Sequence, residues 1–412
     1  MSSDPVTLAA VEIGSSKVAA IVAEYTGYGF TIKGWGECQS QGVRKGCVID
    51  YPAVTQCTQQ ALENAKRATG GSSGVPVEQI DKVFLAQTGG HLDGFYNEGA
   101  RIVSAADNMV SAEDIAEVRR LAKAKELPEG RMLLERLRHP FRLDGRLIKS
   151  SPEHLCGRRL EVGYWMVHGD ESRISDSYHM ISNSQIEVAE MVLSGLASGR
   201  VVTSQAEREH GVLVIDIGGG TSDYALYRDG LPYVAGAVAV GGGHLSNDLT
   251  IGLRLSTGQG DRVKLRHGRA IVQCRDKAQK VWLDGDLAIG DRQLPLLSIE
   301  KILEARVREI FEVVKHKLGT AFSPETCAAG VVLTGGTSKL PAIAEAAAAV
   351  FNTPVHIGQV SDGFPEPLQD PGFHTALGLL QLGIEKQRAR EAAERSQRPG
   401  FLRRLFARPS RH

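Results

Sequence analysis

The sequence predicts an α/β protein of at least two lobes built on one plan. Three observations predict it. Residues 8–36 and 211–243 each run apolar strand, turn, strand, turn, strand. Each copy opens on a short buried-type strand that runs from an acid into a bare turn: Glu12-Ile13-Gly14-Ser15-Ser16-Lys17 in the first, Asp216-Ile217-Gly218-Gly219-Gly220-Thr221 in the second. The chain, at 412 residues, is too long for one core. The interval between the copies is too long for a solenoid repeat, which leaves duplicated domains as the reading.

The elements follow in order. Residues 6–36 form a β-meander with Gly14 and Gly27/Gly29 in its turns, and 53–69 read as a helix. The glycine- and serine-rich stretch at 70–79 is a loop, and a new strand starts at 81. Residues 90–169 are strand–helix–strand in style, with a helix over 111–126 introduced by Ser111 and Asp114 in capping-box spacing. A helix is expected at about 184–198, the second meander at 211–243, and a long amphipathic helix at 298–318. Residues 329–341 read as a buried strand, a Gly-Gly turn and a helix start. Residues 385–399 read as a charged linker, partly helical or disordered, before the segment "GFLRRLFARPSRH".

Composition narrows the class. With 42% hydrophobic and 23% charged residues, the chain is of the soluble globular type, and no apolar run is long enough to span a bilayer. The first residues lack the basic region of a signal peptide. The six cysteines show no metal-site spacing and are expected as free thiols in a reducing compartment. The formal charge of zero hides an asymmetry. Residues 386–412 carry nine Lys or Arg against two Glu, so the tail is about +7 and the body about −7. A basic tail on an acidic body points to an anionic surface.

The two acid–glycine turns point to phosphate. A phosphate chain needs many converging donors, and only a backbone nearly free of side chains lets N–H groups approach it. Gly218, Gly219, Gly220 and Thr221 supply such a nest, and Gly14, Ser15 and Ser16 a shorter one, with Lys17 as a point charge. Asp216 and Glu12 would repel phosphate directly. They are better placed to hold a hydrated Mg²⁺, which keeps several waters. "VVLTGG" at 331–336 is a third element: Gly335 and Gly336 would let a nucleoside lie against the backbone, with Thr337 opening the next helix. Two facing hairpins clamping one phosphate chain is the leading arrangement, and ordinary hairpin turns are the alternative.

Taken together, "EIGSSKVAAIV", "VIDIGGGTSD", "VKLRHGRA", "GVVLTGGTSKLP" and "TALGLLQLG" resemble the actin-like ATPase superfamily, and within it the bacterial FtsA cell-division family over nearly the full length. The resemblance implies an α/β actin-like ATPase fold with two lobes and an inserted α+β subdomain. Subdomain 1A would comprise 1–82 and 171–206, and the SHS2-like insert 1C 83–170. Subdomain 2A would comprise 207–243 and 328–385, and 2B 244–327. A linker at 386–399 and a membrane-targeting tail at 400–412 would follow. It implies ATP and Mg²⁺ as cofactors. It places Asp261 and Lys264 beside the ribose or base, although Asp261 is shorter than the glutamate usual there. It further implies polymerisation through 1C, docking of the C-terminal peptide of the tubulin-like protein FtsZ on 2B, and recruitment of late division membrane proteins. The location implied is the cytoplasmic face of the inner membrane at the septum. A small-molecule kinase and a pilus-assembly ATPase on the same fold are the rival readings.

Two further features bear on activity. Where many relatives carry a water-orienting acid at the start of a small-residue helix, this chain has Ser194-Gly195-Leu196-Ala197, so firm ATP binding with slow turnover is expected. Glu190 is the weak alternative base. Gly195, Ala197 and Ser198 opposite Ala376 and Gly378 suit a close helix–helix hinge between lobes. In the tail, Phe401, Leu402, Leu405 and Phe406 fall on one helical face flanked by Arg403 and Arg404. A short basic amphipathic helix of this kind prefers an anionic membrane interface. A groove in a partner protein is the alternative, and the apolar face argues against nucleic acid.

Overall fold

The computed structural model describes residues 5–27, 29–67, 80–183, 186–273, 276–285 and 291–397. The tail residues Phe401, Leu402, Arg403, Arg404, Leu405 and Phe406, and the whole of the loop expected at 70–79, lie outside them.

Both lobes use one sheet design. In the first, Val6–Ile13, Lys17–Tyr25 and Phe30–Gln39 form an antiparallel meander, and Lys82–Gln87 and then Glu187–Leu193 add parallel strands on the other side of Val6–Ile13. In the second, Val212–Ile217, Ser222–Arg228 and Leu231–Val238 form the meander, and Val331–Thr334 and Val355–Ile357 add the parallel strands. The strand order and the sense of every pairing are the same. Strands buried on both faces explain the near-continuous apolar runs. Ala9 and Val11 face the helix Tyr51–Arg67, while Leu8 and Ala10 face the helix His374–Gln397. In the second lobe Leu213 and Ile215 pack toward the helices Gly242–Leu253 and Leu296–Leu318.

A third sheet interrupts the first lobe in sequence, between its strands Lys82–Gln87 and Glu187–Leu193. Asp93–Ile102, Arg131–Arg138, Phe141–Leu143, Arg146–Ile148 and Arg159–Asp170 pair around the long last strand. The helix Ala112–Ala122 packs on this sheet and starts at Ser111, with the capping box closed by Asp114 as the spacing predicts. This body docks on the second lobe. The Trp165 indole donates to the Ala235 carbonyl at 2.9 Å. The His139 ring stacks on Tyr233 at 3.8 Å and bonds the Tyr233 carbonyl through Nε2 at 2.7 Å. Burial pulls the His139 pKa down to about 4, so the ring is neutral and Nε2–H is the donor.

Two expectations are corrected. The helix placed at 184–198 is the strand Glu187–Leu193 followed by the helix Ser194–Val202, and the helix Glu171–Ser182 precedes them. The apolar run there completes the sheet by pairing with Lys82–Gln87, and that tertiary demand overrides helical propensity. Residues 386–397 also do not form a separate linker: they continue the helix that begins at His374.

The lobes are joined where the helix Ser194–Val202 crosses the helix His374–Gln397. A Cβ on Gly378 would stand 1.8 Å from the Ala197 carbonyl oxygen, so this crossing admits no side chain. Gly378→Ala is therefore expected to lower stability by about 1–3 kcal/mol or more, since neither helix backbone can yield cheaply. Urea unfolding checks this, and an unchanged midpoint would show that the helices are not in backbone contact.

Candidate functional site

The two acid–glycine turns meet tip to tip. Each is closed by its own backbone bond, Gly14 N to Lys17 O at 3.0 Å and Gly218 N to Thr221 O at 2.9 Å. A Cβ on Gly219 would lie 2.9 Å from the Ser16 Cβ, and one on Gly220 would lie 2.3 Å from the Ser15 hydroxyl. Glycine is thus required here by close approach across the lobes.

The second lobe gathers its remaining candidates around the same turn. Gly242 and Gly243 donate backbone N–H groups to the Gly218 and Gly219 carbonyls at 2.9 and 2.7 Å. The Thr337 hydroxyl donates to the Gly218 carbonyl at 3.0 Å. Gly335 holds φ +83, and a Cβ there would strike the Asp216 carboxylate at 2.3 Å; Gly336 follows it into the turn Gly336–Lys339. The Lys264 ammonium donates to the Gly242 carbonyl and to Asp261, each at 3.2 Å, and Ser246 donates to the same Asp261 oxygen. Asp261, Lys264, Gly335, Gly336 and Thr337 therefore stand with Gly218–Thr221 in one group.

Three carboxylates converge beneath the turns. Asp216 is buried and accepts the Thr375 hydroxyl at 2.7 Å. Glu12 presents a buried Oε2 with no hydrogen-bond partner among the described residues. Asp223 is buried and accepts the Thr88 hydroxyl at 2.7 Å from across the lobes. Burial, and then the charge of Asp216, lift the Glu12 carboxyl to about 8, with Lys17 pulling the other way. Asp216 is raised by burial, against the pull of Thr375. Asp223 is raised well above the usual range by burial and then by Asp216. Burial is the first reason each acid resists ionising, and for Glu12 and Asp223 the charge of Asp216 adds to it. A cation held among them would reverse that, because it favours the charged form of all three.

The candidates for charge and chemistry are placed differently from the phosphate-turn residues. Lys17 is paired with Glu37 at 2.6 Å and lies 3.7 Å above the Phe373 ring. Ser194 is buried, and its hydroxyl donates to the Gln87 carbonyl at 3.4 Å. Glu190 is not part of this group. It is ion-paired with Lys386 and lines a separate cleft of about 500 Å³ with Glu135, Arg200 and Glu385, whose walls include no residue of the two turns. Its strand, pairing with Lys82–Gln87, carries it to that other cleft, which removes it as a base.

Three residues at the site escaped the sequence reading. Asp223 had a legible signal, an acid two positions beyond Thr221 in the same motif. Thr88 had none, since its partners Thr221 and Asp223 lie more than a hundred residues away and only the fold joins them. Lys45 sits at φ +52 with its Cα 3.1 Å from where a Gly220 Cβ would stand, and the adjoining Gly46 N–H donates to the Ser15 hydroxyl at 3.0 Å.

Glu12 supplies a pH signature. Between the ordinary carboxyl value of 4.5 and about 8 the folded chain keeps a proton that the unfolded chain releases, so stability falls as pH rises through that window. Glu12→Gln removes this fall. Its stability advantage over the parent is expected to widen from about pH 5 to about pH 8 and to reach roughly 4 kcal/mol. Thermal melts across the range check it, and a gap that stays constant would mean that Glu12 ionises freely in the folded chain.

Comparison with known proteins bears on the family and the fold. Residues 213–378 match the family model for "Cell division protein FtsA", and residues 89–168 match "SHS2 domain inserted in FTSA". The chain is 30% identical over 380 residues to Cell division protein FtsA of Neisseria meningitidis serogroup B, covering 90% of this chain and 89% of that protein. It is 29% identical over 383 residues to the Pseudomonas aeruginosa protein of the same name, covering 92% and 89%. Among solved structures it resembles a chain of the PilM–PilN type IV pilus biogenesis complex, with TM-score 0.63 and 15% identity, covering 92% of this chain and 98% of that one. It also resembles MreB5 of Spiroplasma citri bound to ADP, with TM-score 0.55 and 12% identity, covering 94% and 98%. The fold is that of the actin-like ATPases, two matching lobes with an SHS2 insert, and the chain belongs to the FtsA family of cell-division proteins.

Proposed function

We propose that this protein binds ATP with Mg²⁺ between its lobes and uses the bound state to favour a membrane-attached polymer that tethers FtsZ filaments. The observation that carries the nucleotide reading is the unpartnered Glu12 oxygen among three buried carboxylates, directly beneath two bare backbone turns. Buried acids without a partner are costly, and a hydrated divalent cation is the counter-charge that fits an all-oxygen donor set. In this reading Asp216 and Glu12 hold the metal through water. Gly14, Ser15, Ser16 and Lys17 in the first turn, with Gly218–Thr221 in the second, hold the phosphates, and Lys17 must exchange Glu37 for phosphate. Asp261, Lys264, Gly335, Gly336 and Thr337 border the adenosine. The metal offsets charge on the phosphates. The chain's residues bind, orient and exclude water, and Ser194 cannot polarise a water as a carboxylate does, so turnover is slow.

The wider role rests on family membership together with the sequence of the tail. Residues 244–327 would take the FtsZ C-terminal peptide. The insert would serve self-association and the late division proteins, and it begins after Gln87, not at the expected 83, because Lys82–Gln87 is an internal strand of the first-lobe sheet. Residues 400–412 would lie in anionic lipid on the cytoplasmic face of the inner membrane at the septum. One short helix binds a bilayer weakly, and polymerisation would multiply it by avidity.

Two measurements test the reading. Asp216→Asn is expected to lose about tenfold or more in affinity for ATP in the presence of Mg²⁺, with little change in its absence; equal affinity with and without the metal in the parent chain would remove the metal site. Co-sedimentation with anionic vesicles is expected for the full chain and not for one truncated after Gln397, and to increase with ATP. Equal binding by both chains would remove the tail from the membrane role, and phosphoryl transfer to a sugar or acetate would favour a kinase instead.

A further inference from the structure

Cys38 and Cys57 come from different elements, the strand Phe30–Gln39 and the helix Tyr51–Arg67. Gly36 sets how closely these pack: a Cβ there would lie 2.4 Å from the Ala65 nitrogen and 2.5 Å from the Ala61 oxygen, so the helix backbone rests directly on the strand. From that contact Cys38 is two residues along the strand, about 6.6 Å, and Cys57 is four residues back along the helix from Ala61, about 6 Å. The two elements therefore bring both residues to one point of the seam. There both thiols donate to the same acceptor, the Gln39 carbonyl, Cys38 at 3.6 Å and Cys57 at 3.4 Å. Cys57 is buried and Cys38 is partly open to solvent.

We propose that Cys38 and Cys57 are a redox-active dithiol that a hydroperoxide converts to an intramolecular disulfide. The Cys38 thiolate attacks a peroxide oxygen, the O–O bond breaks, and Cys38 becomes a sulfenic acid while the departing oxygen takes up the proton that the thiol released and leaves as water, or as an alcohol from an organic hydroperoxide. The Cys57 thiolate then attacks the Cys38 sulfur, the S–O bond breaks, the S–S bond forms and a water leaves. Two thiols are oxidised and one peroxide is reduced. Burial, and then the neighbouring Cys57, push the Cys38 thiol above its ordinary value, so the first step quickens as pH rises above neutral.

The bridge would fall on a seam that carries the first turn. Ser40 N donates to the Ser16 carbonyl at 3.0 Å, and the Asn64 amide donates to the Glu37 carbonyl at 2.9 Å. Linking 38 to 57 also closes the loop that contains Lys45 and Gly46, which abuts Ser15 and Gly220. Oxidation therefore restrains the loop and the turn together, whether or not the site holds a nucleotide.

The test treats the full reduced chain with hydrogen peroxide, alkylates the remaining thiols and maps the digest by mass spectrometry. The expected result is loss of two of the six thiols, one peptide pair joining Cys38 to Cys57, reversal by dithiothreitol, and a faster reaction at about pH 9 than at about pH 7. In Cys57→Ala, with its fold checked by thermal melt, Cys38 is expected to pass on to sulfinic acid without a link. Cys38 reaching sulfinic acid in the parent chain with Cys57 still reduced would overturn the proposal. So would consumption of Cys47, which accepts a bond from Arg173 at 3.3 Å, while Cys38 and Cys57 both stay reduced.

Discussion

The crowding of Glu12, Asp216 and Asp223 between two facing hairpin turns is the constraint on which the rest of this structure turns. Carboxylates are costly to ionise in a low-dielectric space, so burial makes all three hold protons more tightly than usual, and the charge of Asp216 adds to this at Glu12 and Asp223. The fold keeps them together because each lies at the end or start of a central strand whose register is set elsewhere. Asp216 pairs with Thr334 and Asp223, and Glu12 with Ala19. The surrounding hydroxyls of Thr88 and Thr375 soften the repulsion without removing it. In the proposed function a cation is the counter-charge that would let these acids ionise.

Closeness elsewhere serves the same junction. Gly378 lets the helix Ser194–Val202 touch the helix His374–Gln397, and the first residues of the latter send Thr375 to Asp216 and His374 to Thr334 at 2.7 Å. A change in the spacing of the acids is thereby felt at the helix crossing. The inserted sheet is fixed to the second lobe by Trp165 and His139, although in sequence it interrupts the first. It therefore spans the junction, and relative movement of the lobes must strain or release those two contacts.

Much of this was legible in the residues. The matched meanders, the capping box at Ser111, the strand–turn of 331–336 and the small residues at the helix crossing all follow from local patterns that the structure keeps. Local pattern failed where a distant partner decided the outcome. The run Glu187–Leu193 has no strand-specific alternation. It becomes a strand because Lys82–Gln87 offers a parallel edge, and with that change Glu190 moves from a candidate base to the Lys386 ion pair. Lys17 has a sequence position suited to phosphate, yet Glu37 and Phe373, which hold it, are brought there by strand pairing and by the far end of the chain.

The sequence by itself determined the strand-and-turn chemistry: where acids precede glycines, where a backbone must be bare, and that two halves share a plan. These are properties of a few consecutive residues, whose side-chain volume and φ freedom set the local conformation directly. Only the tertiary structure decided that the two turns touch, that Thr88 reaches Asp223, that Lys45 overhangs Gly220, and that Cys38 meets Cys57. Each of those contacts joins residues on separate elements, and its existence depends on sheet order and helix packing distances that no local pattern encodes.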